Sequence, residues 1–395
     1  MTKIFITGLG VISPLGYNLN ENLTGLRQGR RALTRLEQFE TRYAESLYFG
    51  EIKISNEQLK EKLKVKDQGI TRTTLLALHA LEEALADSHL SVDILKDSKT
   101  ALVGANTVGG MCLTNELYRN AVSADSEPEY LNAYDAGATN LYLQKRFGIR
   151  GIVNTINTAC SSSANALMYG ARLIKNGLAD RAIVGGTDSL AKFTINGFNA
   201  LFILSSNPCR PFDKDRSGLN LGEGAAFLVL ESERVIKDKK AYAELTGWGN
   251  TSDAFHPSSL SPQGDGPFEA MREALSIANL DASSIDYVNT HGTGTENNDE
   301  VEGVAMKRIF NKIPPFTSSK SNIGHTLGAA GAIEAVYSVL SLQHQELYPS
   351  LGFSTPIPET SLTPTLTYQK ATIRNVMSNS FGFGGNCSSL IFSKA

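Results

Sequence analysis

The sequence predicts an α/β protein assembled from two similar halves, and three observations carry that expectation. Apolar runs such as "KIFITGLG", "TALVGANT", "RAIVGGTD", "AAFLVLE" and "IDYVNTHG" are rich in β-branched residues and read as strands covered on both faces. Helical patterns lie between them. Leu75, Leu78, Leu81 and Leu85 recur at helix spacing in 72–86, as do Phe268, Met271, Leu275 and Ala278 in 267–279. The order of these pieces then repeats along the chain.

The repeat can be followed element by element. "TGLG" at Thr7 returns as "TGWG" at Thr246. A helix ending "EEALADSHL", a loop "SVDIL" and the strand "TALVGANT" are answered by "REALSIANL", "DASSID" and "YVNTHGT". Each half then turns through small residues into a helix, at "NTACSSSANAL" and at "SKSNIGHTLGAAGAIEAV". The halves divide near residue 240, giving units of 1–240 and 241–395. The first is longer and carries the insertions, with 110–145 the best candidate. A pseudo-twofold would bring the loops of both halves to one crevice, where α/β proteins place their sites.

Composition bounds the function. The 395 residues are 41% hydrophobic and 19% charged, as in ordinary globular proteins. A net charge of −3 gives no basic field for nucleic acid. No apolar run reaches the roughly 18 residues of a membrane span. The opening "MTKIFITGLG" reads as a strand rather than a signal peptide. Cys112, Cys160, Cys209 and Cys387 are scattered without metal spacing, so neither a metal site nor a disulfide framework is expected, and a reducing cytoplasm is the default.

Cys160 follows the strand "RGIVNTIN" and precedes a helix running to about Lys175. It reads either as a buried small hydrophobe or as a nucleophile at a helix N-terminus. The helix dipole there favours thiolate by roughly 0.3–1 kcal/mol, which helps without sufficing. His291, in "NTHGTGT", and His325, in "SNIGHTLGAAGA", fall by the repeat at the same crevice. His79, His89 and His344 read as structural or surface residues, and His256 as structural or on the rim. Lys320 shares the His325 loop, as a solvated cation or an anchor for an acidic network. Of Glu296, Asp299, Glu300 and Glu302, most are expected to face solvent, with one able to turn inward to Lys320. Two imidazoles suit an enolate oxygen better than a papain-type arrangement does, since each neutral ring donates one N–H. In "NSFGFGGNCSSLIF", Phe381 and Phe383 alternate with glycines. That turn either offers an N–H to an oxyanion or simply precedes a closing strand.

Taken together, these segments mean that the chain resembles the elongating β-ketoacyl-acyl-carrier-protein synthases, condensing enzymes of fatty-acid and polyketide synthesis. The matching segments are "ITGLGVISPLG", "NTACSSSANAL", "RPFDKDRSGLNLGEGAAFLVLE", "VNTHGTGTENNDEVE", "SSKSNIGHTLGAAGAIEA" and "NSFGFGGN", in family order from residue 5 to 386. The resemblance implies a thiolase fold, with duplicated α/β halves in five αβαβα layers. It implies a Cys–His–His set at Cys160, His291 and His325, supported by Lys320, Glu334 and Glu302. Cys160 would accept an acyl chain from carrier protein. A malonyl-carrier thioester would then lose CO2 and condense with it. The resemblance puts the oxyanion hole at the N–H groups of Cys160 and Phe383, and Thr293 and Thr295 on the pantetheine arm. It makes Phe383 a gate, and has Val108 and Met111 line the acyl pocket across a dimer interface. It implies no cofactor beyond the phosphopantetheine that arrives on acyl carrier protein. The chain would form a homodimer, or a heterodimer with a chain-length-factor-like subunit.

The short "LSSNPCRPFDKD", "GGNCSS" and "CSSSANA" depart from the common fatty-acid pattern and look like synthases of aryl-polyene or polyketide-type pathways. A degradative thiolase would need a second cysteine where His325 stands, and a chain-length factor would lack Cys160. Lys60, Lys62, Lys64, Lys66 and Arg72 form either a docking patch for the acidic carrier or a solvated face.

Overall fold

In the computed structural model, which describes residues 2–114, 117–118, 122 and 131–395, the main elements follow one another in two runs. The first run is β1 (Ile4–Ile12), α1 (Arg72–Ser88), β2 (Thr100–Ala105), α2 (Ala138–Phe147), β3 (Val153–Ile156), α3 (Ser162–Lys175), β4 (Arg181–Asp188), α4 (Lys192–Ala200) and β5 (Gly224–Ser232). The second is β6 (Ala243–Ser252), α5 (Asp265–Ala278), β7 (Tyr287–Asn289), α6 (Glu296–Ile309), β8 (Phe316–Thr317), α7 (Ala330–His344), β9 (Asn375–Phe381) and β10 (Asn386–Ser393). The insertion expected at 110–145 lies partly outside the described residues.

These strands join in the order β3-β2-β4-β5-β1-β6-β10-β9-β7-β8. Counted inward from either edge, both runs give third, second, fourth, fifth and first strand. The senses agree as well. The three outer strands of each run are parallel, and the next two pairings are antiparallel. Only Phe5 opposite Glu244 and Ile6 opposite Ala243 join the runs, where β1 meets β6.

Alternation along the strands builds five layers. Leu102, Ile183 and Phe227 face outward onto α1 and α2. Their neighbours Val103, Val184 and Leu228 face inward onto α3 and α7. In the second run Leu390 and Val376 face the same inner layer, while Ile391 and Met377 face α5 and α6. The inner helices are therefore covered by sheet on both sides, and every residue of α7 from Ala330 to Leu342 is buried.

The small residues at the start of α3 and α7 follow from that layer. A Cβ on Gly331 would lie 2.7 Å from the Ala164 backbone nitrogen. The Ala332 N–H donates to Ser163 Oγ at 2.8 Å. The two helix N-termini thus touch backbone to backbone, at the C-terminal ends of the parallel strands. Replacing Gly331 by Ala overpacks this contact. Urea titration should show a loss of about 1–3 kcal/mol, and an unchanged midpoint would mean that the helices separate freely.

Candidate active site

The chain leaves β3 and turns through residues 157–161 before α3 begins. Ala159 sits at φ +53°, a left-handed conformation unusual for a residue with a Cβ. Side chains of the small polar run hold the turn. Ser162 Oγ accepts the Thr158 N–H at 2.8 Å and donates to Ala159 O at 2.5 Å. Ser161 Oγ lies 2.7 Å from both Thr158 O and Asn386 Oδ1. Asn165 Nδ2 donates to Thr158 Oγ1 and Asn386 Oδ1, each at 2.8 Å. The turn leaves Cys160 only 6% exposed, lining a cavity of about 410 Å³.

Burial pushes the Cys160 thiol up to about 11. The Lys320 charge and the N–H groups of Phe383 and Cys160 itself, both bonded to the sulfur, pull the other way without prevailing. This is the direction expected of a helix terminus that helps without sufficing. Loss of water around the sulfur outweighs the dipole, and the resting group is a neutral thiol.

His291 and His325 line the same cavity, with ring centroids 5.3 Å apart and planes at 84°. His291 follows β7. His325 is clamped to the "NLG" segment, its N–H donating to Asn220 O at 2.7 Å and its carbonyl accepting from Gly222 at 2.9 Å. Burial, and then the Lys320 charge, hold both imidazoles well below their usual range, so both are neutral at physiological pH. Their partners assign the tautomers. His325 Nδ1 accepts the Leu327 N–H at 3.3 Å. His291 Nδ1 faces Lys320 Nζ, a donor only, at 3.4 Å. Each ring therefore carries its proton on Nε2, the nitrogen left for the cavity.

Lys320 is itself buried. It pairs with Glu334 and donates to His291 O at 2.6 Å. Burial raises the Glu334 carboxyl and the Lys320 charge opposes it. No acid of 296–302 meets Lys320, and two of them do not face solvent as expected. Glu302 accepts the N–H groups of His291 and Gly292, each at 2.9 Å. Asp299 accepts from Phe212 at 2.8 Å and from Gly294 at 3.1 Å. Both carboxylates are fully buried, and burial raises Glu302 to about 7.

The glycine turn after β9 completes the cavity. A Cβ on Gly382 would lie 2.6 Å from Thr158 O, so only glycine lets this turn rest on the Cys160 turn. That approach brings the Phe383 N–H to the sulfur. The Phe383 ring stacks on Phe198, with centroids 5.8 Å apart and planes at 16°.

Thr293 and Thr295 line the cavity with their Oγ1 atoms 2.8 Å apart. Val108 and Met111 do not line it. They belong to an apolar cluster with Phe198 and Leu327. Arg72 leaves the proposed basic patch, because its guanidinium is held by Glu223 and by Ile52 O. His256 is exposed and accepts the Ser258 N–H, beside the rim. Cys387 is buried in β10, outside the cavity. Among the described residues no group of three His, Cys, Asp or Glu could hold a metal ion.

Sequence reasoning missed Asp188, at the end of β4. Its carboxylate accepts from Thr107 Oγ1 at 2.6 Å, Val108 N at 2.9 Å and Gly328 N at 2.7 Å. It thereby ties the Val108 loop to the turn behind His325. An acid closing the apolar strand "RAIVGGTD" at the crevice was the available signal.

A buried cysteine facing two neutral imidazoles, in a duplicated five-layer α/β fold, defines an acyl-transferring enzyme of the thiolase type. The chain belongs to the β-ketoacyl synthase family, matching its N-terminal domain over residues 1–235 and its C-terminal domain over 242–354. It is 36% identical to a putative mitochondrial 3-oxoacyl-[acyl-carrier-protein] synthase of Schizosaccharomyces pombe, over 100% of this chain and 99% of that protein. Two solved structures are similar over their whole length. The ishigamide ketosynthase/chain length factor has TM-score 0.92 and 28% identity, covering 100% of this chain and 99% of that one. The ketosynthase ApeO in complex with its chain length factor ApeC, from Xenorhabdus doucetiae, has TM-score 0.86 and 32% identity, covering 100% and 98%. No helix among the described residues is long and apolar enough to cross a membrane.

With the thiol near 11, only about one Cys160 in ten thousand is thiolate at pH 7. Alkylation by iodoacetamide, followed by intact mass, should accelerate about tenfold per pH unit from roughly pH 7 to 9. A plateau in that range would show that the site stabilises thiolate after all.

Proposed function

We propose that the chain catalyses decarboxylative Claisen condensation of an acyl-Cys160 thioester with a malonyl-carrier thioester, in fatty-acid or polyene/polyketide chain elongation. The observation that carries this reading is the pair of neutral imidazoles with Nε2–H groups at one cavity. Two such donors can hold an enolate oxygen, whereas a lone activating base would need one free nitrogen.

In the first half-reaction Cys160 Sγ attacks the acyl-carrier carbonyl. The N–H groups of Cys160 and Phe383 hold the tetrahedral oxyanion. The carrier thiol leaves, taking the proton given up by Cys160. In the second, the malonyl carboxylate departs as CO2 and its bonding electrons form an enolate held by His291 and His325. That carbanion attacks the acyl-Cys160 carbonyl, the C–S bond breaks, and the sulfur takes up a proton. Product is 3-oxoacyl-carrier protein. Lys320, paired with Glu334, fixes the His291 tautomer. Thr293 and Thr295 hold the pantetheine arm, and Phe383 gates the acyl pocket. Val108 and Met111 shape its far wall in a dimer, formed with a second copy or with a chain-length-factor-like subunit. Phosphopantetheine arrives on the carrier and no further cofactor is used. The enzyme acts in the cytoplasm.

Cys160→Ala should abolish condensation. His291→Ala and His325→Ala should lose malonyl decarboxylation at least about 100-fold while Cys160 still becomes acylated. Intact mass after incubation with acyl carriers of graded chain length reads the acylation, and released CO2 reads the decarboxylation. Condensation by the Cys160 variant at the wild-type rate would sink the mechanism.

A further inference from the structure

The rim of the Cys160 cavity carries exposed apolar side chains beside polar ones. Its lining residues include Leu201 and Phe202, and the one charged residue among them is Glu296. Phe202 is 94% exposed, more than any other large hydrophobic side chain among the described residues. Its backbone stands at φ +57°, a conformation that costs a bulky residue about 1 kcal/mol or more. Leu201, at 47% exposed, stands beside it, and Phe255, at 58%, lies three residues before the lining residue Ser258.

Phe202 is held out by ordered chain. Its N–H donates to Asn199 O at 3.0 Å, ending α4, and Leu219 N–H donates to Ile203 O at 2.9 Å immediately after it. The same helix end sends Phe198 inward against Phe383 and Phe202 outward into water. A strained backbone that presents a full aromatic ring to solvent marks a contact made with another molecule.

We infer that Phe202 is the apolar anchor on which the acyl carrier protein docks, seating in a hydrophobic pocket of the carrier's surface, with Leu201 completing the contact. This rests on the condensing reading above. Cys160 lies at the buried end of the cavity, so an acyl group reaches it only on an arm threaded past this rim. The arm is covalently joined to the carrier, whose surface must then abut Leu201 and Phe202. A second copy seated over Phe202 would cover the entrance that the arm needs. A buried aromatic at the centre of a small interface carries a large share of its affinity.

The test compares Phe202→Ala with wild type in the acylation of Cys160 by two donors, acyl-carrier protein and the same acyl thioester of free pantetheine. For the variant, KM for acyl-carrier protein should rise about tenfold or more, several-fold beyond any change in kcat/KM for the pantetheine thioester. Wild-type KM for the carrier should change less than about threefold between roughly 50 and 500 mM salt, since apolar contacts are not screened. Equal losses with both donors would place Phe202 in the cavity wall, and an unchanged carrier KM would remove it from the interface. Either result overturns the inference, as would steep salt dependence, or a change in oligomeric state on size exclusion, which would assign the ring to a partner subunit. Wild-type protein that neither donor acylates at Cys160 would instead remove the condensing reading, and the inference with it.

Discussion

The backbone contact between the N-termini of α3 and α7 is the constraint on which the site depends. Gly331 rests on Ala164, and Ser163 takes the Ala332 N–H. Each helix begins where a loop has left a parallel edge strand of its own half, so bringing the helices together brings the loops together. Cys160 and His325 are delivered from opposite halves by one packing event. A wider separation would leave a cysteine and a histidine each at a helix end, facing no common space.

A single buried cation then sets the electrostatics. Lys320 reaches Glu334, the His291 carbonyl and His291 Nδ1. Its charge depresses both imidazoles and opposes the desolvation of Cys160. Burial acts in one direction on every member of the site: it disfavours charge, whether on sulfur, imidazole or carboxylate. The cavity at rest thus holds a thiol and two neutral rings. In the proposed mechanism charge develops on substrate oxygens, which the backbone N–H and Nε2–H donors would hold. The carboxylates that remain serve the backbone. Glu302 and Asp299 secure the loop of His291 from behind, and Asp188 secures the turn behind His325.

Much of this was legible in the sequence because the halves repeat. Two copies of one strand order place His291 and His325 at the same crevice as Cys160. Long-range burial was not legible. Asp299 and Glu302 sit at the start of a helix whose local sequence reads as solvated, and nothing nearby announces the four backbone N–H groups that cover them. Arg72 reads as one of a basic run because its partner Glu223 lies 151 residues away. The sulfur's protonation is legible only in part, for a related reason. A helix terminus is visible in a sequence, whereas the layers that exclude water from it are the product of the whole fold.

The neutral thiol has a consequence for durability. Oxidants such as peroxides and disulfides react with thiolates, and the fraction of Cys160 in that form at neutral pH is very small. Its 6% exposure limits their access further. In the proposed mechanism the same sulfur still reacts with a thioester, because the two N–H groups stabilise the oxyanion that forms on a carbonyl held against them. Selectivity between substrate and oxidant is thereby built into the resting state. On that reading the nucleophile is slower to oxidise than a cysteine resting as its anion.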